Sequence, residues 1–180
     1  SDPLVNGDFE AGPGNGWVER TPSGEPIIRT EIALESTFAA LFGRHLGSQE
    51  SLASAVVLDT LPADRIESVE LKLALAIVTD ETTGNGTNED LFAMGVINEA
   101  LTIDVVAAIS EESFPPQQWR GITVDMTEAF QRRADFERVA LGFVTQQSTS
   151  NATNFVVDNV VLDFCLTSGQ RVALPVWSGS

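Results

Sequence analysis

The chain has no tyrosine, one histidine and one cysteine among its 180 residues. Each shortage removes a class of chemistry. A nucleophilic serine or cysteine needs a base beside it, and the sole histidine, His45, stands in Phe42-Gly43-Arg44-His45 with no serine elbow nearby. The same count excludes a zinc centre of the His-rich kind. Cys165 has no second cysteine for an internal disulfide, and its place in an apolar run predicts a buried, inert thiol. Basic residues are also few: 10 Lys plus Arg against 26 Asp plus Glu give a formal charge of -16. That surface repels phosphate, so neither nucleic acid nor an anionic membrane is an expected partner. No run reaches the ~18 apolar residues of a membrane helix, so membrane insertion is not expected. Ser1-Asp2-Pro3 carries no signal peptide and reads as a trimmed boundary, which leaves export open.

Hydrophobic residues make up 43 % of the chain, enough for a sizeable core in one domain. Their spacing is that of strands, whose side chains alternate between two faces. Val69, Leu71, Leu73, Leu75 and Ile77 alternate with Glu70 and Lys72; Phe92, Met94 and Val96, then Ile122, Val124 and Met126, then Val139, Leu141 and Phe143 repeat the pattern. Pro26–Thr30, Ala53–Leu58 and Leu101–Ala107 are further strand candidates. Turn signals at Leu61–Asp64, Thr83–Gly86, Pro115-Pro116 and Ser148–Asn151 divide them. Many short strands and little helix predict an all-β, antiparallel β-sandwich. Thr127–Asp135 is the one short helix expected, capped by Asp125 or Thr127. Leu34, Phe38, Leu41 and Phe42 have helical spacing, yet also fit a loop leading into a strand at Ala39–Gly43.

The stretch Asn154–Leu166 contains a break in parity. Phe155 and Val157 come before it; Val160, Leu162 and Phe164 come after, offset by one. A strand that keeps one face buried needs an extra residue there, so a β-bulge is expected at Asp158-Asn159. From Thr167 the pattern lapses, and residues 167–180 are expected as a tail or linker to another domain, after a sandwich domain spanning 1–166; Trp177 could still pack back.

The opening LVNGDFEAGPGNGW (Leu4–Trp17) resembles the start of galactose-binding-like jelly rolls, among them carbohydrate-binding modules of families 4, 9 and 22 and accessory domains of bacterial secreted proteins. FAALFG (Phe38–Gly43), SLASAVVLD (Ser51–Asp59), VELKLALAI (Val69–Ile77), EDLFAMGV (Glu89–Val96), WRGITVDMTEAF (Trp119–Phe130), RVALGFV (Arg138–Val144) and TNFVVDNVVLDF (Thr153–Phe164) continue it in the same order, over roughly residues 3 to 166. The resemblance implies a jelly roll whose first and last strands lie together, and makes Glu35–Gly43 a loop and then a strand. It also implies a structural Ca2+ ion near that junction, with Glu10 and Asp158 as carboxylate ligands and backbone carbonyls from Asp8 and from Glu35 to Phe38. Calcium takes six to eight hard oxygens and accepts such a mixture. The plainer alternative is that each carboxylate caps turn amides. The acidic loop Asp80–Asp90 is expected to be solvated rather than a second cation site.

The resemblance further implies a polysaccharide as ligand. Sugar rings stack on exposed aromatic faces, and with no tyrosine and three tryptophans the candidate platforms are Trp119, Phe92 and Phe114. Trp17 is expected beneath the first loop. Glycosidases require only a pair of carboxylates, but no acid here lies in a catalytic motif, and no enzyme is expected. The two functions in competition are therefore a non-catalytic carbohydrate-binding module, and a spacer or adhesion domain meeting a cell-surface protein. In both it is an extracellular or cell-surface domain, bacterial and joined to other domains.

Overall fold

A computed structural model describes residues 4–30, 36–56, 63–78, 90–97, 103–110, 113, 115–133, 139–149, 153–167 and 176–177. The expected Glu35, Phe114 and all but the last residue of the loop 80–90 lie outside them. The strands are β1 (Val18–Arg20), β2 (Ile28–Arg29), β3 (Ala39–Phe42), β4 (Gln49–Val56), β5 (Ile66–Val78), β6 (Leu91–Ile97), β7 (Ile103–Ser110), β8 (Arg120–Asp125), β9 (Val139–Gln146), β10 (Asn154–Leu166) and β11 (Val176–Trp177). One helix, α1 (Thr127–Arg133), follows β8.

All described pairings are antiparallel and fall into two sheets. One runs β1-β4-β9-β6-β7, with β11 also on β4; the other runs β2-β3-β10-β5-β8. The alternating residues explain the two layers. Leu52, Phe92, Met94, Val96, Leu141 and Phe143 from the first sheet meet Phe42, Leu71, Leu75, Ile77, Phe155 and Val157 from the second, all buried in one core. Phe92 stands at the centre of an aromatic chain, 5.5 Å from Phe42, 5.5 Å from Phe143 and 5.8 Å from Phe155 between ring centroids. The fold is a β-sandwich jelly roll.

Several boundaries move. The strand expected from Pro26 is only Ile28–Arg29, while that expected from Ala53 begins at Gln49. The helical spacing of Leu34 to Phe42 is accidental in its second half: Ala39–Phe42 is a strand buried on both faces, so its apolar run is continuous. Met126 leaves β8 and accepts the amide of Phe130 at 3.0 Å, opening α1. Asp125 caps that turn by accepting the Thr127 amide at 2.9 Å, and Thr127 Oγ1 accepts the Val69 amide at 3.0 Å, tying the helix to β5.

Cys165 corrects the expectation of a buried thiol. It is exposed. Val160, Leu162, Phe164 and Leu166 take the inner face of β10, so Cys165 falls on the outer face. Its Sγ lies 3.4 Å from Glu67 Oε2, and that hydrogen bond to a carboxylate pushes the thiol pKa up.

Candidate functional site

The first loop is organised by Asn6. Its Oδ1 accepts the Ala11 amide at 2.8 Å, its Nδ2 donates to Asn15 O at 2.9 Å, and its carbonyl accepts Trp17 Nε1 at 2.8 Å. Asn6 has a φ of 58°, a left-handed conformation that asparagine tolerates better than most residues. Gly7 then passes so close to β10 that a methyl there would collide with the Val160 carbonyl. Its own carbonyl accepts the Val160 amide at 2.8 Å. Trp17 lies beneath the loop, 3 % exposed, between Phe9 and Phe143 at 5.4 and 5.9 Å.

Val160 belongs to the bulge. The register of β10 against β5 shifts between Asp158, opposite Ala74, and Val161, opposite Lys72, so three steps on β10 face two on β5. Asn159, inside that step, has a φ of 52°. The parity break therefore marks the place where the opening loop docks on the last long strand.

Asp158 and Glu10 bond to the same short segment, residues 36–38. Asp158, 0 % exposed, accepts Ser36 Oγ at 2.9 Å on Oδ2 and the Asn159 amide at 2.7 Å on Oδ1. Glu10 Oε1 accepts the amides of Thr37 and Phe38 at 2.9 and 2.8 Å. Ser36 Oγ also lies 3.2 Å from the Phe38 carbonyl, and Asp8 Oδ1 accepts the Glu10 amide at 3.3 Å. The oxygens assembled here are carboxylate, hydroxyl and carbonyl, the hard donors calcium takes. Both carboxylates do cap amides or a hydroxyl; among the described residues Glu10 Oε2 has no hydrogen bond and is open to an ion. Among the described residues no three His, Cys, Asp or Glu side chains gather closely enough to hold a metal. An ion at this junction would rest on two carboxylates completed by neutral oxygens, and the donor set fits that description.

The candidate platforms fare differently. Phe92 is fully buried in the core and cannot present a face to a sugar: its neighbours Met94 and Val96 in the alternation take the same inner side. Trp119 is half-buried, packed on a small apolar cluster of Ala39, Leu41, Ala76 and Val156 on the other face of the second sheet. The outer face of the first sheet carries small side chains. One row crosses it as Val18, Ala53, Gly142, Gly95 and Val105, and the next as Arg20, Ser51, Val144, Ala93 and Ala108. Val18 and Val105, at its two edges, are 47 % and 51 % exposed. Ile97 packs over Gly142, where a methyl would collide with it. No described aromatic side chain stands in either row.

Sequence reasoning missed a buried polar cluster at the end of the sandwich where β10 begins. Glu50, Asp90 and Gln147 turn inward from the first sheet and hold backbone amides of the second. Glu50 Oε2 accepts Gly43 N at 2.6 Å, while Asp90 Oδ2 and Gln147 Oε1 share Thr153 N at 2.7 and 3.0 Å. Asp90 Oδ1 also accepts the Ser148 amide. The signal available was Glu50 in phase with Leu52, a carboxylate at an inward position.

No protein-family model matches this sequence, and no curated protein matches it. Solved structures do. The module TmCBM61, solved in complex with β-1,4-galactotriose, superposes with a TM-score of 0.57 at 13 % identity, covering 92 % of this chain and 99 % of that one. The C-terminal family 22 carbohydrate-binding module of Clostridium thermocellum Xyn10B gives 0.52 at 14 % identity, over 91 % and 94 %. A cyclase from Fischerella sp. TAU, in complex with 4-(1H-indol-3-yl)butan-2-one, gives 0.52 at 14 % identity, over 92 % and 98 %. At these identities the likeness speaks for architecture, which binding modules and a cyclase share. This chain has the β-sandwich jelly-roll fold of the carbohydrate-binding modules.

Proposed function

We propose that the protein is a non-catalytic carbohydrate-binding module, an accessory domain of a secreted or cell-surface bacterial protein, stabilised by calcium at the loop–bulge junction. The observation that supports it is the superposition over nearly the whole of both chains on a module solved with a galactotriose. The outer face of the first sheet is the surface offered to a polysaccharide. Its middle is formed by Ala53 and by Ile97, which covers the buried Gly142, with exposed Val18 and Val105 at the edges, and Arg20, Gln49, Ser51 and Gln146 provide polar groups for hydroxyls. In the calcium site, Glu10 and Asp158 would supply carboxylates, and Asp8 and Phe38 backbone oxygens.

A second reading is a spacer or protein-interaction domain, favoured by the lack of any aromatic ring in the two rows that cross that face. Affinity electrophoresis through gels containing β-1,4-galactan or xylan separates the two. Retardation that Ala53→Arg abolishes supports the sugar module. Free migration through a broad panel of polysaccharides overturns it in favour of the second reading.

A further inference from the structure

One edge of β4 is covered by two pieces of chain laid end to end. Val18, Glu19 and Arg20 of β1 stand opposite Ala53, Leu52 and Ser51, and Val176 and Trp177 of β11 stand opposite Val56 and Ala55. Both pieces run antiparallel to β4, so β11 continues the line of β1. Together they make one composite edge strand. The half made by β1 is anchored, because it follows directly on the buried Trp17. The half made by β11 is two residues long, and no described strand flanks it on its other side.

We propose that the β4 edge at Ala55 and Val56 is a strand-docking site, and that its occupant exchanges between copies of this chain. Strand addition is recognised through the main chain, so the β11 segment of any copy satisfies the edge as well as the copy's own. Hydrogen bonds that compete with water contribute little net stability, and two paired residues form the weakest kind of strand. Release of β11 leaves β10 in place, since the β10 pairing with β5 is complete at Leu166. Eight residues lie between Thr167 and Val176, and their nine Cα steps can span up to ~30 Å, against the ~10 Å between stacked sheets, so the segment reaches the edge within one copy. Exchanging an identical element is a low-cost route to a dimer. Two chains of formal charge -16 repel, and salt screens that repulsion, so exchange rises with ionic strength. This proposal is independent of the sugar-binding reading.

The test uses the full chain with Cys165→Ser, which removes the exposed native thiol. Val56→Cys and Val176→Cys placed together in one chain should close an intramolecular disulfide in a redox buffer. Placed on separate, differently tagged copies, they should give a mixed dimer at about twice the 19.3 kDa chain mass, more at high salt than at low. The pair Leu46→Cys with Val176→Cys, at an exposed loop position, measures random collision. Failure of the double variant to close overturns the docking site. Closure within one copy, with no mixed dimer above the Leu46 control, overturns the exchange.

Discussion

Asp90 Oδ2 accepts the amide of Thr153 at 2.7 Å, a buried bond between the residue that leads into β6 of one sheet and the residue that leads into β10 of the other. The second oxygen of the same carboxylate takes the Ser148 amide. Hydrogen bonds to a charged acceptor contribute more than neutral ones, and removing the acceptor leaves its donors buried and unmet. Asp90→Ala should therefore cost about 3 kcal/mol, and Asp90→Asn, which keeps one acceptor oxygen, less. Urea unfolding reads this as a lower midpoint at unchanged slope. A midpoint equal to that of the unaltered chain would show that the cluster does not clamp the sheets.

Calcium at the junction predicts a melting temperature that falls when EDTA is added. An ion bound only by the folded state stabilises it by about 2.7 kcal/mol when present at a hundred times its Kd. Glu10→Gln and Asp158→Asn should abolish the difference between calcium and EDTA. A melting temperature indifferent to EDTA leaves Glu10 and Asp158 as caps of the 36–38 segment alone.

The thiol of Cys165 is exposed, but Glu67 holds it in its protonated form. The thiolate is the reactive species. Reaction with a chromogenic disulfide at pH 8 should be slower than for a free thiol, and Glu67→Gln should speed it by lowering the pKa. An unchanged rate in that variant would remove Glu67 as the cause.

Asp125 is held below its ordinary carboxylate value by its hydrogen bonds to Thr127, side chain first and backbone second. A carboxyl with a depressed folded pKa contributes stability that is present above the unfolded value. That contribution disappears as pH falls through the folded one. The α1 cap should therefore weaken as the solution is acidified below about pH 3.8. Asp125→Asn should flatten that part of the pH–stability curve, measured by thermal unfolding at successive pH values. A curve with the same acid slope in the variant would assign the loss to other carboxylates.

What the sequence disclosed followed from periodicity. The slip between Val157 and Val160 located the bulge because both ends of β10 must face one core. Phase along β10 puts Cys165 outward, and phase along β6 puts Phe92 inward with Met94 and Val96; expecting a buried thiol and taking Phe92 as a platform both weighed residue type above phase. Glu50 could be read only from its phase with Leu52, and Asp90 and Gln147 were illegible for the opposite reason: acids and amides are ordinarily solvated, and the burial of this cluster depends on the amides of Gly43 and Thr153. The strand at Val176–Trp177 has no alternation to announce it, since two residues paired through the backbone leave no pattern. The junction was half legible. Glu10 and Asp158 stand where the chain turns, but that they share the segment at Ser36 to Phe38 is a matter of topology.

Trp17, sandwiched between Phe9 and Phe143 with its ring nitrogen on Asn6, gives the opening loop an optical reporter. In a chain without tyrosine, ultraviolet emission belongs to tryptophan, and this buried indole emits bluer, less quenchable light than the half-buried Trp119. Lifting the loop from the bulge wets the ring and shifts that light to the red, so docking of the two ends of the fold can be followed in a cuvette without a label.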